Sequence, residues 1–166
     1  MGAFKGRIWS VVRKFVLTAS GRQRFNVLGA LNFVTKKIET VVNSSYINSI
    51  EIVVMFENLS ILHKNEIVNV VLDNVRYQHC KLVQDKAKSL GINLVFLPTY
   101  SPNLNLIERV WKLVKSRVLN SSYHKTFPAF CNNIEEFINT IHVDYLSEME
   151  SLISEKIQII NLDSTI

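Results

Sequence analysis

Two acids stand where a carboxylate can do chemistry. Asp73 directly follows the apolar run Val70-Val71-Leu72, at what should be the C-terminal edge of a strand, the edge at which open α/β sheets bind ligands. Glu108 comes 35 positions later, one residue past Ile107 on a stretch of helical periodicity, so it should flank a buried stripe. Each acid has an ordinary alternative: Asp73-Asn74 can make a turn or cap a helix, and Glu108 can pair with Lys112 at i,i+4, worth about 0.2–0.5 kcal/mol. Together they suggest more. Two hard carboxylate oxygens converging on one point suit Mg²⁺, which prefers oxygen ligands and keeps several waters. In phosphodiester chemistry such an ion activates the attacking oxygen and neutralises the leaving one.

The elements that must position these acids can be read from periodicity. Arg7 to Leu17 is rich in β-branched and aromatic residues and reads as a strand, Thr18 to Arg22 as a turn. Phe25 to Val34 and Lys37 to Tyr46 supply two further strands of an antiparallel meander. Asn48 to Leu62 predicts a helix. Ile67 to Leu72 is a nearly continuous apolar run, as expected of a parallel strand buried on both faces. Cys80, Val83, Ala87 and Leu90 fall at helical spacing before Gly91, and Ile92 to Leu97 is again a strand, completing a βαβ unit. Ser101-Pro102 reads as a helix start, with Leu104, Ile107, Trp111, Val114 and Val118 as its apolar stripe. Two more helices are expected, one along Phe127, Phe130, Ile134, Phe137 and Ile141, the other from Tyr145 to Ile157. The expectation is one α/β domain over residues 1–158 with a tail at 159–166.

Charge is unevenly distributed. Of 19 Lys and Arg in 166 residues, eight lie in residues 1–40 beside one acid, and five in residues 101–125 beside Glu108 alone. Residues 126–166 hold seven acids and only Lys156. Two basic segments point to a polyanion such as DNA, although a solvated surface with an acidic tail fits the same arithmetic. Arg7, Lys14, Arg22, Arg24, Arg76, Arg109 and Lys112 are the candidate phosphate contacts. Cys80 and Cys131 are too few for a disulfide framework and lack zinc-ligand spacing. The start has no secretory signal, its Gly2 is at most a faint myristoylation signal, and no apolar run is long enough to span a bilayer. A cytoplasmic, nucleoid-associated protein with no membrane partner is expected. His79 borders the candidate site but suits a surface or capping role. His63, His124 and His142 share no metal spacing, Trp9 and Trp111 read as core, and Ser101 has no identifiable nucleophile partners.

The strings Val71-Leu72-Asp73-Asn74-Val75-Arg76-Tyr77-Gln78-His79 and Phe96-Leu97-Pro98-Thr99-Tyr100-Ser101-Pro102-Asn103-Leu104-Asn105-Leu106-Ile107-Glu108-Arg109-Val110-Trp111 resemble the second half of the catalytic domain of insertion-sequence transposases of the mariner superfamily. Arg22 to Leu31 resembles that family's second strand, so the likeness covers roughly residues 1–142. The resemblance implies an RNase H-like mixed sheet with helices on both faces and an Asp, Asp, Glu metal triad, of which Asp73 and Glu108 would be the second and third members, their 34-residue separation matching the insertion-sequence branch. It further implies Mg²⁺ or Mn²⁺ as cofactor, DNA as substrate, and a reaction that cuts transposon ends and joins the freed 3′-hydroxyl to target DNA.

Some features depart from the family. Its first catalytic Asp ends a strand just ahead of the segment that Gly2-Ala3-Phe4 resembles, and the acids here before Asp73 are Glu39, Glu51, Glu57 and Glu66, none in that context. The family's helix-turn-helix region has no counterpart, Leu106 replaces a usual proline, and Thr99 stands where proline is frequent. A truncated domain lacking its first strand is therefore expected, binding metal weakly and inactive alone. The competing expectation is a catalytically dead remnant that binds DNA or forms homodimers, or mixed dimers with an intact transposase. A third keeps the acids structural, with carboxylates more than about 10 Å apart.

Overall fold

The computed structural model describes residues 23–99, 104–119 and 124–153. The expected strand at Arg7–Leu17, the turn at Thr18–Arg22 and the Ser101-Pro102 helix start lie outside them. The described part is mixed α/β, as expected: an antiparallel pair, then a parallel pair, with helices between and after.

Strands β1 (Asn26–Leu31) and β2 (Ile38–Asn43) form the antiparallel pair, with Asn26 opposite Asn43 and Leu31 opposite Ile38. β1 is shorter than the expected Phe25–Val34 because Asn32 starts the connection. Its side chain accepts from the backbone N–H groups of Val34 and Thr35, and Lys36 takes a left-handed φ of 61°. Helix α1 (Ser49–Leu62) starts at a capping box: the Asn48 side chain accepts from the Ile50 N–H at 2.7 Å and Glu51 from the Asn48 N–H at 2.8 Å.

The βαβ unit follows. β3 (Val68–Leu72) pairs in parallel with β4 (Ile92–Phe96), and α2 (Lys81–Ser89) crosses between them. Gly91 adopts φ +69° directly after α2, the left-handed turn that a glycine makes without a Cβ penalty. The expectation that β3 is buried on both faces is corrected. Leu72 is buried, but Asn69 is exposed and Val71 is 58% exposed. The continuous apolar run reflects β-propensity on a face that, among the described residues, carries only the Asn93–Asn69 side-chain hydrogen bond at 3.1 Å.

Two cores result. In the first, Ile52 and Phe56 of α1 pack with Leu72, Val83, Ala87 and Ile92, joined by Leu28 of β1. In the second, Val110, Leu113, Val114 and Val118 pack with Ile38 and with Ile134, Ile138, Ile141 and Met149. Apart from Ile38 of β2, these residues come from α3 (Leu106–Val114, continued by a π-helical turn at Lys115–Leu119), α4 (Phe127–Asp144) and α5 (Leu146–Leu152). α3 is described from Leu106 onward. Its buried stripe runs through Val110, with Ile107 and Trp111 partly buried beside it. α1 packs on β1 and β2 and, through Ile52 and Phe56, shares a core with Leu72 of β3 and Ile92 of β4.

Candidate functional site

β3 ends at Leu72, whose carbonyl accepts from the Leu97 N–H at 2.9 Å, so the two parallel strands finish together. Asp73 is the next residue and is half-buried. It does not cap the following 3-10 turn at Arg76–Gln78, which has Val75 at its N-cap position and no side-chain cap. Instead its Oδ1 accepts a 2.6 Å hydrogen bond from the Asn105 side-chain amide, 32 residues away. Asn105 stands at the N-cap position of α3, and its carbonyl accepts the Glu108 N–H at 3.2 Å. The end of β3 is thereby pinned to the helix turn that carries Glu108, since residues three apart on a helix have Cβ atoms about 5–6 Å from each other.

Glu108 is half-buried. The i,i+4 pair with Lys112 does not form: the ion pairs among the described residues are His63–Glu66, Lys86–Glu57 and Arg117–Glu148. Three of the acids that precede Asp73, namely Glu51, Glu57 and Glu66, are used elsewhere. Glu51 closes the capping box, Glu57 meets Lys86 at 2.5 Å, and Glu66 meets the His63 ring at 2.8 Å. No group of three or more His, Cys, Asp or Glu residues placed to hold a metal occurs among the described residues.

His79 is fixed beside Asp73. Its ring stacks on Phe96 with centroids 3.9 Å apart, its Nε2 meets Oδ1 of Asn74, and its carbonyl accepts from Gln84 at 2.9 Å. These contacts hold the chain next to Asp73.

Of the candidate phosphate contacts, Arg7, Lys14 and Arg22 lie outside the described residues. Arg76 and Lys112 are exposed. Arg24 is exposed too and lies over the Tyr46 ring, 4.5 Å from its centroid. Arg109 is half-buried and donates to the Leu152 carbonyl at 2.9 Å, tying α3 to α5. Asn105 is the residue that reading for charged groups missed. Its signal was its place three residues before Glu108 in the Leu104-Asn105-Leu106-Ile107-Glu108 string.

Among the described residues no helix is long and apolar enough to cross a membrane. Among curated proteins none matches this chain. Among solved structures the chain is similar to the catalytic core domain of BIV integrase, at 14% identity and a TM-score of 0.48, over 69% of this chain and 80% of that one. The sequence pattern of the DDE superfamily endonucleases, whose members generally use divalent metal ions and act on DNA, matches residues 5–131 and so takes in Asp73, Asn105 and Glu108. The chain belongs to the DDE superfamily endonucleases.

Proposed function

We propose that this chain is the catalytic domain of a transposase of the mariner superfamily's insertion-sequence branch, with Asp73 and Glu108 as ligands of Mg²⁺ or Mn²⁺. The observation that carries the reading is the Asn105–Asp73 hydrogen bond, which brings the strand-end acid against the helix turn bearing Glu108. The donor set suits a hard cation: two half-buried carboxylates, neither of them neutralised by an ion pair among the described residues. When bound there, such an ion lowers the pKa of an attacking water or 3′-hydroxyl and offsets charge on the leaving oxygen. Asp73 and Glu108 hold it, while Arg76 and Lys112 on the exposed flanks attract the phosphate backbone. With two carboxylates in place of three, the chain alone holds the ion weakly and neither cuts nor joins DNA.

The test is calorimetric titration with Mn²⁺ beside a plasmid-nicking assay, for the wild-type chain, Asp73→Ala and Glu108→Ala. Weak wild-type binding that both substitutions abolish, without nicking, supports the reading. Mn²⁺-dependent nicking abolished by Asp73→Ala would show the two-ligand site to be active and sink the inactivity claim. A flat wild-type titration with DNA binding that is unchanged in Asp73→Ala would instead favour a dead DNA-binding remnant.

A further inference from the structure

We propose that Asn105 is a positioning residue for the Asp73 carboxylate: its amide pins Oδ1 and leaves Oδ2 to face the cation shared with Glu108. This inference rests on the metal-site reading above and adds a residue to it. An asparagine at an N-cap ordinarily turns its side chain back to accept from its own helix's N–H groups. Asn105 does not, for α3 has no side-chain cap. Its amide nitrogen instead reaches across 32 residues of sequence to Asp73 Oδ1 at 2.6 Å, while its backbone carbonyl takes the Glu108 N–H at 3.2 Å. One residue therefore fixes the two segments that carry the acids relative to each other.

The chemistry of the donor matters. A lysine or arginine in this place would neutralise Asp73 and compete with a cation, whereas a neutral amide orients the carboxylate and leaves its charge intact. Hydrogen bonds of this kind to ligating carboxylates set their orientation and so tune metal affinity. On the other side of Asp73, the backbone is held by the Asn74–His79 contact and the His79–Phe96 stack, which leaves the carboxylate rotation as the freedom that Asn105 removes.

The experiment measures Mn²⁺ affinity by calorimetry, together with thermal melting in EDTA, for the wild type, Glu108→Ala, Asn105→Leu and Asn105→Gln. Asn105→Leu keeps the size of the side chain and removes the donor. Its Kd for Mn²⁺ is expected to rise about 10- to 100-fold, with partial recovery in Asn105→Gln. Should Asn105→Leu lose its cooperative melt, Asn105→Ser carries the same comparison, because a serine there can cap α3 and keep the helix start. A lowered melting temperature with Kd equal to that of the wild type overturns the proposal, since a merely structural hydrogen bond would behave in that way. Failure of the metal-site reading looks different: the wild-type titration is itself flat and Glu108→Ala changes nothing, which overturns both.

Discussion

The Cα of Gly29 faces the indole of Trp111 so closely that a Cβ added there would stand 2.5 Å from Cζ2 and 3.0 Å from Cη2 of the ring. Gly29 lies mid-strand in β1, and Trp111 lies on α3 three residues after Glu108. The glycine is required by this close approach, because its backbone pairs regularly with Thr40. The approach of β1 to the helix that carries Glu108 thus runs through the Gly29–Trp111 contact.

Gly29→Ala should destabilise the chain by about 1–3 kcal/mol, the usual cost of overpacking. In Trp111→Phe the shorter ring withdraws the atoms that Cβ would strike, so the same alanine should cost less there. Urea unfolding of both single variants and the double variant measures the coupling. Equal costs on the two backgrounds would show that the contact does not govern this spacing.

Arg76 and Lys112 are exposed and outside the ion pairs of the described residues, whereas Arg109 is committed to the Leu152 carbonyl. Replacing either exposed base with alanine should reduce the slope of log K against log salt by about 1 for binding to duplex DNA, because one phosphate fewer is neutralised and its counterion stays condensed. Stability should be untouched. Arg109→Ala should act the other way, costing about 1.5–3 kcal/mol of stability, the range for a hydrogen bond to a charged group. Fluorescence anisotropy across a salt series, beside thermal melting, separates the two patterns. A salt slope unmoved by both Arg76→Ala and Lys112→Ala would remove this face from the DNA path.

Much of this architecture was legible in the sequence because local chemistry decided it. Asn48 followed by Glu51 marks the α1 start, Gly91 marks the α2 stop, and the Val83–Ala87 spacing marks the α2 core face. Asp73 was legible as a strand-end acid for the same reason. What was not legible depended on the meeting of distant segments. An apolar run does not tell which of its faces finds a partner, so the exposure of Val71 could not be read from Val70-Val71-Leu72. Asn105 resembles any N-cap asparagine until the strand end arrives beside it, and Gly29 resembles any strand glycine until Trp111 does.

The capping box makes α1 sensitive to acid. Glu51 accepts from the Asn48 N–H, which is the main cause lowering its pKa below the ordinary 4.5. Partial burial opposes this, and its own N–H and the Asn43 amide add to the lowering. The folded value lies below the unfolded one, so the contribution is full above the usual glutamate range and is lost as pH falls through the folded value. The stability difference between wild type and Glu51→Gln should therefore hold at neutral pH and shrink below about pH 4.3. Asn48→Ala, which removes the reciprocal cap, should cost about 1 kcal/mol at neutral pH. Denaturant unfolding over a pH series measures both, and a wild-type advantage that persists unchanged well below pH 4 would contradict the account.

Cys131 offers a chemical probe of the α4 surface. Burial raises its thiol pKa above the ordinary 9.0, and the negative charge of Glu135, one turn further along α4, raises it again, against a smaller lowering by its own backbone N–H. Alkylation requires the thiolate, so iodoacetamide should modify Cys131 slowly at neutral pH in the folded chain. The rate should climb only at a higher pH than for the same cysteine in urea, where both causes vanish. Glu135→Gln removes the charge and leaves the burial, so it should move the folded profile part of the way back towards the unfolded one. Peptide-resolved mass spectrometry of timed alkylation gives these rates. A Glu135→Gln profile identical to wild type would leave burial as the sole cause, and folded and unfolded profiles that coincide would refute both.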